Sequence, residues 1–194
     1  MRLSDRDIQA AIKDGRIGID PMPDDACFGS FSVDVSLGNK FVKIKKKEEQ
    51  EQSYVYLTSK MMMESFHDIF TREVTVKDHE NVIINPGQFL LGMTRERIKI
   101  PNYLVGWLDG RSSLARVGLM VHMTAHAIDP GFDGHITFEF FNAGRLPLVL
   151  NPGMRIGAIS FEMLSSPCMR PYGSKPGAKY QGQETPCVAS VLAG

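Results

Sequence analysis

The chain has 194 residues, 43% of them hydrophobic and 23% charged, values typical of one globular domain with a substantial core. Lys plus Arg and Asp plus Glu both number 22, and this formal net charge of +0 argues against a nucleic-acid-binding protein, which normally carries a basic excess. The three cysteines, Cys27, Cys168 and Cys187, are odd in number and widely spaced, so they indicate neither a disulfide framework nor a paired-Cys metal site.

The first predicted element is a short amphipathic helix. Ser4 with Asp7 has the form of an N-cap, Ile8 and Ala11 fall with Ile12 on one helical face, and Gly15 is a natural stop. The segment lacks the apolar centre of a secretory signal, and no apolar run of the chain reaches membrane-spanning length. We therefore expect a cytoplasmic protein with no membrane partner.

Short strands separated by Gly and Pro turns follow the helix. Alternating apolar residues predict a half-buried strand from Phe31 to Leu37, and the mixed charges of residues 45–49 predict a solvated strand end. Residues 61–70 fit either a helix or a loop. Further strands are predicted at 41–44, 74–76, 82–84, 89–100, 146–150 and 156–161. The pattern indicates a mainly β fold, a barrel or roll with a few short helices and no internal domain boundary.

The segment from Gly110 to Arg116 is the first of three that could carry chemistry. It contains Arg111, Ser112 and Ser113, and a Gly/Ser turn with hydroxyls and forked guanidiniums is suited to phosphate oxygens. A polar turn with surface arginines fits the same residues equally well, because the segment is not a Walker-type loop.

The second is the strand around Glu139. Strict alternation places His135, Thr137 and Glu139 on one face, and Ile136 with Phe138 on the other. A carboxylate in such apolar surroundings needs a partner or a function, and acid–base chemistry is one such function. An exposed edge carboxylate, or one paired with Arg116 or Arg145, remains the alternative.

The residues between these two segments give weaker signals. His122 and His126 are four apart, but the strand-like context predicts that their imidazoles do not converge, so we expect structural histidines and no metal centre. The pairing of motifs that a zinc deaminase requires is missing from the sequence. Asp129 begins an Asp-Pro-Gly turn and could face a sugar hydroxyl.

The third segment is the tail, residues 167–194, which is rich in Gly, Pro, Ser and Gln. Tyr172, Lys179, Tyr180 and Gln183 combine a cation, donors and aromatic rings, a composition that suits a flexible lid over an anionic ligand. A tail without a role is equally compatible with this composition.

Taken together, these motifs resemble dCTP deaminase, a family that shares the fold of trimeric dUTPases. The resemblance rests on residues 106–116, 124–126, 128–131, Glu139, 152–154 and 179–183, and it covers nearly the whole chain except residues 45–75. It implies a single domain over residues 1–194 with a distorted β-barrel or jelly-roll-like fold. It also implies a homotrimer with active sites between subunits.

The resemblance implies hydrolytic deamination of dCTP to dUTP and ammonia without zinc, a step that feeds dUMP and dTTP synthesis. Glu139 is then the general base, Ser112 and the carbonyl of Ala125 hold the water, and Arg116 stabilises the reacting centre. Magnesium accompanies the triphosphate, and dTTP is an expected inhibitor. The residues expected to bind substrate are Arg111, Ser112, Ser113, Arg116, Asp129, Tyr172, Lys179 and Gln183.

Two positions depart from the branch of the family that only deaminates. That branch commonly has arginine where this chain has Ala127, and tryptophan where it has Phe132. The tail looks more like the bifunctional branch, which also cleaves dUTP to dUMP and diphosphate. Simple deaminase, bifunctional deaminase–dUTPase, plain dUTPase and a non-catalytic nucleotide-binding module therefore all remain open, and ammonia release from dCTP separates the deaminases from the rest.

Overall fold

The computed structural model describes residues 1–45, 71–77, 79–176 and 178–187, so the predictions for residues 46–70 lie outside the described residues. The elements are two α-helices and twelve strands within these ranges: α1 (Asp5–Lys13), β1 (Gly18–Asp20), β2 (Val33–Ser36), β3 (Lys40–Ile44), β4 (Thr71–Thr75), β5 (Val82–Ile84), β6 (Phe89–Lys99), β7 (Leu104–Gly110), α2 (Ser112–Ala115), β8 (Leu119–Met120), β9 (Ala127–Ile128), β10 (Asp133–Asn142), β11 (Leu148–Leu150) and β12 (Arg155–Met163). The prediction of a mainly β fold with few short helices is confirmed.

Helix α1 forms as its sequence predicts. The hydroxyl of Ser4 accepts a hydrogen bond from the backbone N–H of Asp7, Ile8 and Ala11 are buried, and Gly15 has a φ of 70°, which ends the helix at little steric cost.

Two antiparallel sheets position the site. The larger has the order β4-β3-β6-β10-β8, with β1 also paired to β6, and the smaller has the order β2-β12-β7-β9. Strands β11 and β5 form a separate pair. The long strands β6 and β10 pair over most of their length, with one irregularity between His135 and Thr137.

The core is filled largely by the inward faces of these strands. The rings of Phe138 and Phe140, both on β10, lie 5.2 Å apart and are fully buried. Phe140 packs onto Gly92 of β6, where an added Cβ would stand 2.7 Å from the ring, so a larger residue there would force the ring to move.

Several strand boundaries differ from their predictions by a few residues; β11, for example, begins at Leu148 rather than at Leu146. The start of β2 also differs. Phe31 was predicted to lie within a half-buried strand, but β2 begins at Val33 and 48% of Phe31 is exposed. The bridge between Phe28 and Val33 closes a turn over residues 29–32, and this turn leaves the Phe31 ring outside the core.

Candidate functional site

Glu139 lies in the middle of β10, on the half-exposed face of the strand. The predicted alternation is confirmed, because Asp133, His135, Thr137 and Glu139 are half-exposed while the residues between them are buried. The Oε2 atom of Glu139 accepts a hydrogen bond of 2.9 Å from the backbone N–H of Met123. No described residue forms an ion pair with Glu139, so the predicted alternative of a pair with Arg116 or Arg145 does not occur in this chain.

The strand-like context of His122 and His126 predicted that their imidazoles do not converge, and this prediction is wrong. β8 ends at Met120, the chain then bends, and the His122 and His126 rings stack with centroids 5.1 Å apart. His126 also lies 5.3 Å from the Trp107 ring. The described residues contain no group of three or more His, Cys, Asp or Glu side chains placed to hold a metal ion. The bend leaves Ala125 exposed beside the segment that contacts Glu139.

Residues 110–116, which we call the cradle segment, contain the single helical turn α2 where sequence alone indicated only a turn. Arg111 is the N-cap of α2, and the exposed side chains of Ser112 and Ser113 occupy its first positions. Arg111 forms an ion pair with Asp34, with Nη2 and Oδ2 3.3 Å apart. Arg116 is exposed at the end of α2, and it forms no ion pair with the described residues.

The described part of the tail from Pro171 onward, residues 171–176 and 178–187, folds back over the turn at Asp129–Gly131. Lys175 Nζ lies 2.7 Å from Asp129 Oδ2, and both side chains are 44% exposed. The backbone N–H of Tyr172 donates to the carbonyl of Pro130. Gly131 has a φ of 85°, and a Cβ there would stand 2.5 Å from Pro171. Only glycine at position 131 therefore lets the tail pack against this turn.

Aromatic and amide contacts hold the tail against β10. The Tyr172 ring lies 5.8 Å from the ring of Phe132, which is buried immediately before this strand. The Tyr172 hydroxyl accepts a hydrogen bond from the backbone N–H of Tyr180. Farther along, Gln183 Nε2 donates to the Thr137 hydroxyl at 2.7 Å, two residues before Glu139 on the same face.

The predicted site residues therefore fall into two groups within one chain. Glu139, Ala125, Asp129, Tyr172 and Gln183 lie along β10 and the segments packed on it, and Lys179 is half-buried in the same tail. The second group is the cradle segment. Across the described residues, no hydrogen bond or ion pair joins Glu139 to Ser112 or Arg116.

Three residues with contacts at these groups were not identified from the sequence: Asp34, Thr137 and Lys175. Thr137 was placed on the Glu139 face but given no role. Asp34 is one polar residue in an alternating strand, and Lys175 is one cation in a polar tail. Only the fold brings Asp34 to Arg111 and Lys175 to Asp129, across 77 and 46 positions of sequence (111 − 34 and 175 − 129).

Comparisons with known proteins identify relatives over the whole chain. A family model described as "dCTP deaminase-like" matches residues 2–164. A protein named dCTP deaminase from Idiomarina loihiensis is 45% identical over 195 residues, covering 100% of this chain and 98% of that protein. Another of the same name from Tolumonas auensis is 46% identical over 186 residues, covering 95% of each.

A solved structure supports the fold. The crystal structure of 2'-deoxycytidine 5'-triphosphate deaminase from Agrobacterium tumefaciens superposes on 84% of this chain with a TM-score of 0.63 and 18% identity. This chain spans 48% of the length of that chain. The similarity confirms the predicted fold type.

Proposed function

Because this chain belongs to the dCTP deaminase-like family, we propose that it catalyses the hydrolytic deamination of dCTP to dUTP and ammonia. Relatives that carry this name share 45% of its residues over nearly their full length. The observation that carries the proposal is the placement of Glu139: a carboxylate on a rigid strand, with one oxygen held by the Met123 N–H.

The second oxygen of this carboxylate, Oε1, accepts no hydrogen bond from the described residues and can receive a proton. In the proposed reaction a water molecule attacks C4 of cytosine, and Glu139 takes a proton from the water as the new C–O bond forms. That proton passes to N3, and the second proton of the water passes through Glu139 to the amino nitrogen. The C4–N4 bond then breaks, ammonia leaves, and Glu139 is again a carboxylate.

The other assigned residues hold the water and the substrate. Ser112 and the carbonyl of Ala125, which accepts no hydrogen bond within the described residues, position the water, and Arg116 stabilises the reacting centre. The triphosphate contacts Arg111, Ser112, Ser113, Lys179, Tyr172 and Gln183, while Asp129 contacts the deoxyribose. We assign Mg2+ to the triphosphate as part of the substrate, and we propose a reaction without zinc, as the resemblance to the family implies.

We further propose that the active unit is a homotrimer with sites between subunits. The cradle segment and Glu139 form no hydrogen bond or ion pair with each other within the described residues of one chain. A neighbouring subunit that presents its cradle segment to Glu139 would complete the site. Light scattering of the purified protein tests the trimer: a mass three times that of the chain is expected, and a monomeric active enzyme would refute it.

The contacts of the described tail residues support the proposal that the tail acts as a lid. The tail contacts Asp129 and Phe132 at the turn before β10, and Gln183 donates to Thr137 on the Glu139 face of the strand. We propose that residues 167–194 close over the bound triphosphate and open for product release. We also propose that the reaction takes place in the cytoplasm. Within the described residues, no helix has the length and apolar character needed to cross a bilayer.

The competing function is the bifunctional reaction, which continues from dUTP to dUMP and diphosphate. It is favoured by two departures: Ala127, exposed on β9, and Phe132, whose smaller ring packs against Tyr172 of the tail. Incubation with dCTP and magnesium, followed by chromatography of the nucleotides, separates the outcomes. Accumulated dUTP and ammonia support the deaminase, direct formation of dUMP indicates the bifunctional enzyme, and unchanged dCTP refutes both. Adding dTTP to the same assay tests for inhibition.

A further inference from the structure

Asp34 occupies a specific place in the smaller sheet. It lies on the outward face of β2, opposite Ala158 of β12, and Ala158 is in turn opposite Asp109 of β7. The three residues therefore form a row across the sheet. Asp109 is exposed, whereas the side chain of Asp34 is only 19% exposed.

Two arginines form ion pairs with the same carboxylate oxygen of Asp34 and cover this side chain. Arg111 Nη2 lies 3.3 Å from Asp34 Oδ2, and Arg155 Nη1 lies 3.4 Å from the same atom. Arg155 also donates to the carbonyl of Ala26 at 2.7 Å, and Arg111 donates to the carbonyl of Arg155 at 3.3 Å. Two guanidiniums against one carboxylate leave a local charge of +1, which attracts an anion.

The strand that carries Asp34 is itself anchored. The backbone N–H of Ser36, two residues along β2, faces both carboxylate oxygens of Glu96 at 3.1 and 2.9 Å. Glu96 is 5% exposed on β6 of the larger sheet. The Asp34 carboxylate therefore projects from a strand that belongs to the smaller sheet and is hydrogen-bonded to the larger one. A support of this kind fixes the orientation of the carboxylate.

Arg111 connects Asp34 to the cradle segment. It is the N-cap of α2, directly before Ser112 and Ser113. Because Asp34 holds the Arg111 guanidinium, the start of α2 and the hydroxyls of Ser112 and Ser113 have a defined position relative to the sheet.

We propose that Asp34 is a positioning residue for triphosphate binding: it orients Arg111 and the cradle segment before the substrate arrives. The inference rests on the proposed function, which assigns the cradle segment to the triphosphate. It makes a prediction opposite to that of simple electrostatics. Removal of a negative charge near an anion site should strengthen anion binding, whereas loss of a positioning residue should weaken it because the substrate must then order Arg111 itself.

The experiment compares Asp34→Asn with Asp109→Asn in the full-length protein. Both variants remove one negative charge from the same row of the same sheet, but Asp109 forms no ion pair with the described residues. The probe is inorganic tripolyphosphate, with binding measured by calorimetry, together with KM and kcat for dCTP. For Asp34→Asn we expect tripolyphosphate Kd and KM to rise together by about tenfold, the scale of one lost charge-assisted contact, while kcat changes less. Asp109→Asn should give no rise.

Several results would overturn the proposal: a folded Asp34→Asn protein with unchanged or tighter tripolyphosphate binding, a fall in kcat alone, or an equal rise in Kd for Asp109→Asn. If Asp34→Asn does not fold, Asp34→Glu decides the question, because it keeps the charge but moves the carboxylate by one methylene. We expect its tripolyphosphate Kd to rise above that of wild type, by less than about tenfold, and a wild-type Kd refutes positioning.

The binding measurement also separates this inference from the proposed function. Wild-type protein that binds tripolyphosphate but releases no ammonia from dCTP refutes the deaminase and leaves Asp34 to be judged by the calorimetry. Wild-type protein that releases ammonia but does not bind tripolyphosphate refutes the inference alone.

Discussion

The Oε2 atom of Glu139 accepts a hydrogen bond of 2.9 Å from the backbone N–H of Met123. This contact joins β10 to the bend that carries Ala125, and it is reinforced where the Glu139 N–H donates to the Val121 carbonyl at 3.0 Å. Backbone atoms of this bend therefore hold both the main chain of Glu139 and one oxygen of its carboxylate. Such an arrangement suits a proton-transfer group, which must return to one geometry in every turnover.

The first prediction concerns Glu139→Gln. The amide has nearly the same shape and can still accept from Met123, but it cannot take a proton from water. We expect kcat to fall by at least about a hundredfold, the scale of a lost general base. The Kd for dCTP, measured by calorimetry, should change little. Turnover near the wild-type rate would show that another group activates the water.

The second prediction tests sites shared between subunits. Glu139→Gln and Arg116→Ala are each expected to be inactive as pure proteins. If the two are denatured and refolded together in equal amounts, about one quarter of the sites should combine an intact Glu139 from one subunit with an intact Arg116 from its neighbour. Ammonia release should recover to about that fraction of wild type. If both separate variants are inactive and the mixture is too, each site lies within one chain.

The third prediction concerns the seating of the tail at Gly131. Gly131→Ala places a methyl group at a φ of 85° and against Pro171, so it should displace the tail without removing any functional side chain. We expect KM for dCTP to rise by roughly tenfold, as when charge-assisted contacts are lost. Truncation before Tyr172 should have at least as large an effect.

The control for this experiment is Gly87→Ala, which has a similar φ of 72° but no atom within 4 Å of the added Cβ. It carries the same backbone strain at a distance from the tail and should leave KM unchanged. Equal kinetics for wild type, Gly131→Ala and the truncated chain would show that the tail has no part in substrate binding.

The fourth prediction concerns the pH dependence of stability. Burial raises the pKa of Glu96 above its usual value, an effect that hydrogen bonds from Ser36 and the charge of Arg95 only partly oppose. The folded protein therefore holds this proton at pH values where the unfolded chain has released it. The contribution of Glu96 to stability is present below the unfolded pKa and is lost as pH rises through the folded pKa.

Glu96→Gln cannot lose this proton, so its stability relative to wild type should increase as pH rises from about 4 toward neutrality. Urea unfolding at several pH values measures the difference. The exposed Glu80→Gln serves as the control and should follow the wild-type curve. A difference between Glu96→Gln and wild type that is independent of pH would contradict the assigned cause.

Much of the fold could be predicted from the sequence because the signals are local. The cap at Ser4, the stop at Gly15 and the alternation along β10 depend on residues a few positions apart, and all three are present in the structure. The stacking of His122 on His126 could not be predicted in this way. It depends on the bend after β8, and that bend is fixed by contacts with β10 rather than by the residues within it.

The sequence by itself determined the chemical groups of the candidate site: one carboxylate on an apolar strand, hydroxyls and guanidiniums in the cradle segment, and a polar tail. Only the tertiary structure decided how these groups are held. Asp34 meets Arg111, Lys175 meets Asp129, and Gln183 meets Thr137 because strands and tail distant in sequence are brought together. The physical reason is that residue type and spacing determine local conformation and reactivity, whereas partner choice among charged side chains depends on sheet register and burial, which the whole chain sets together.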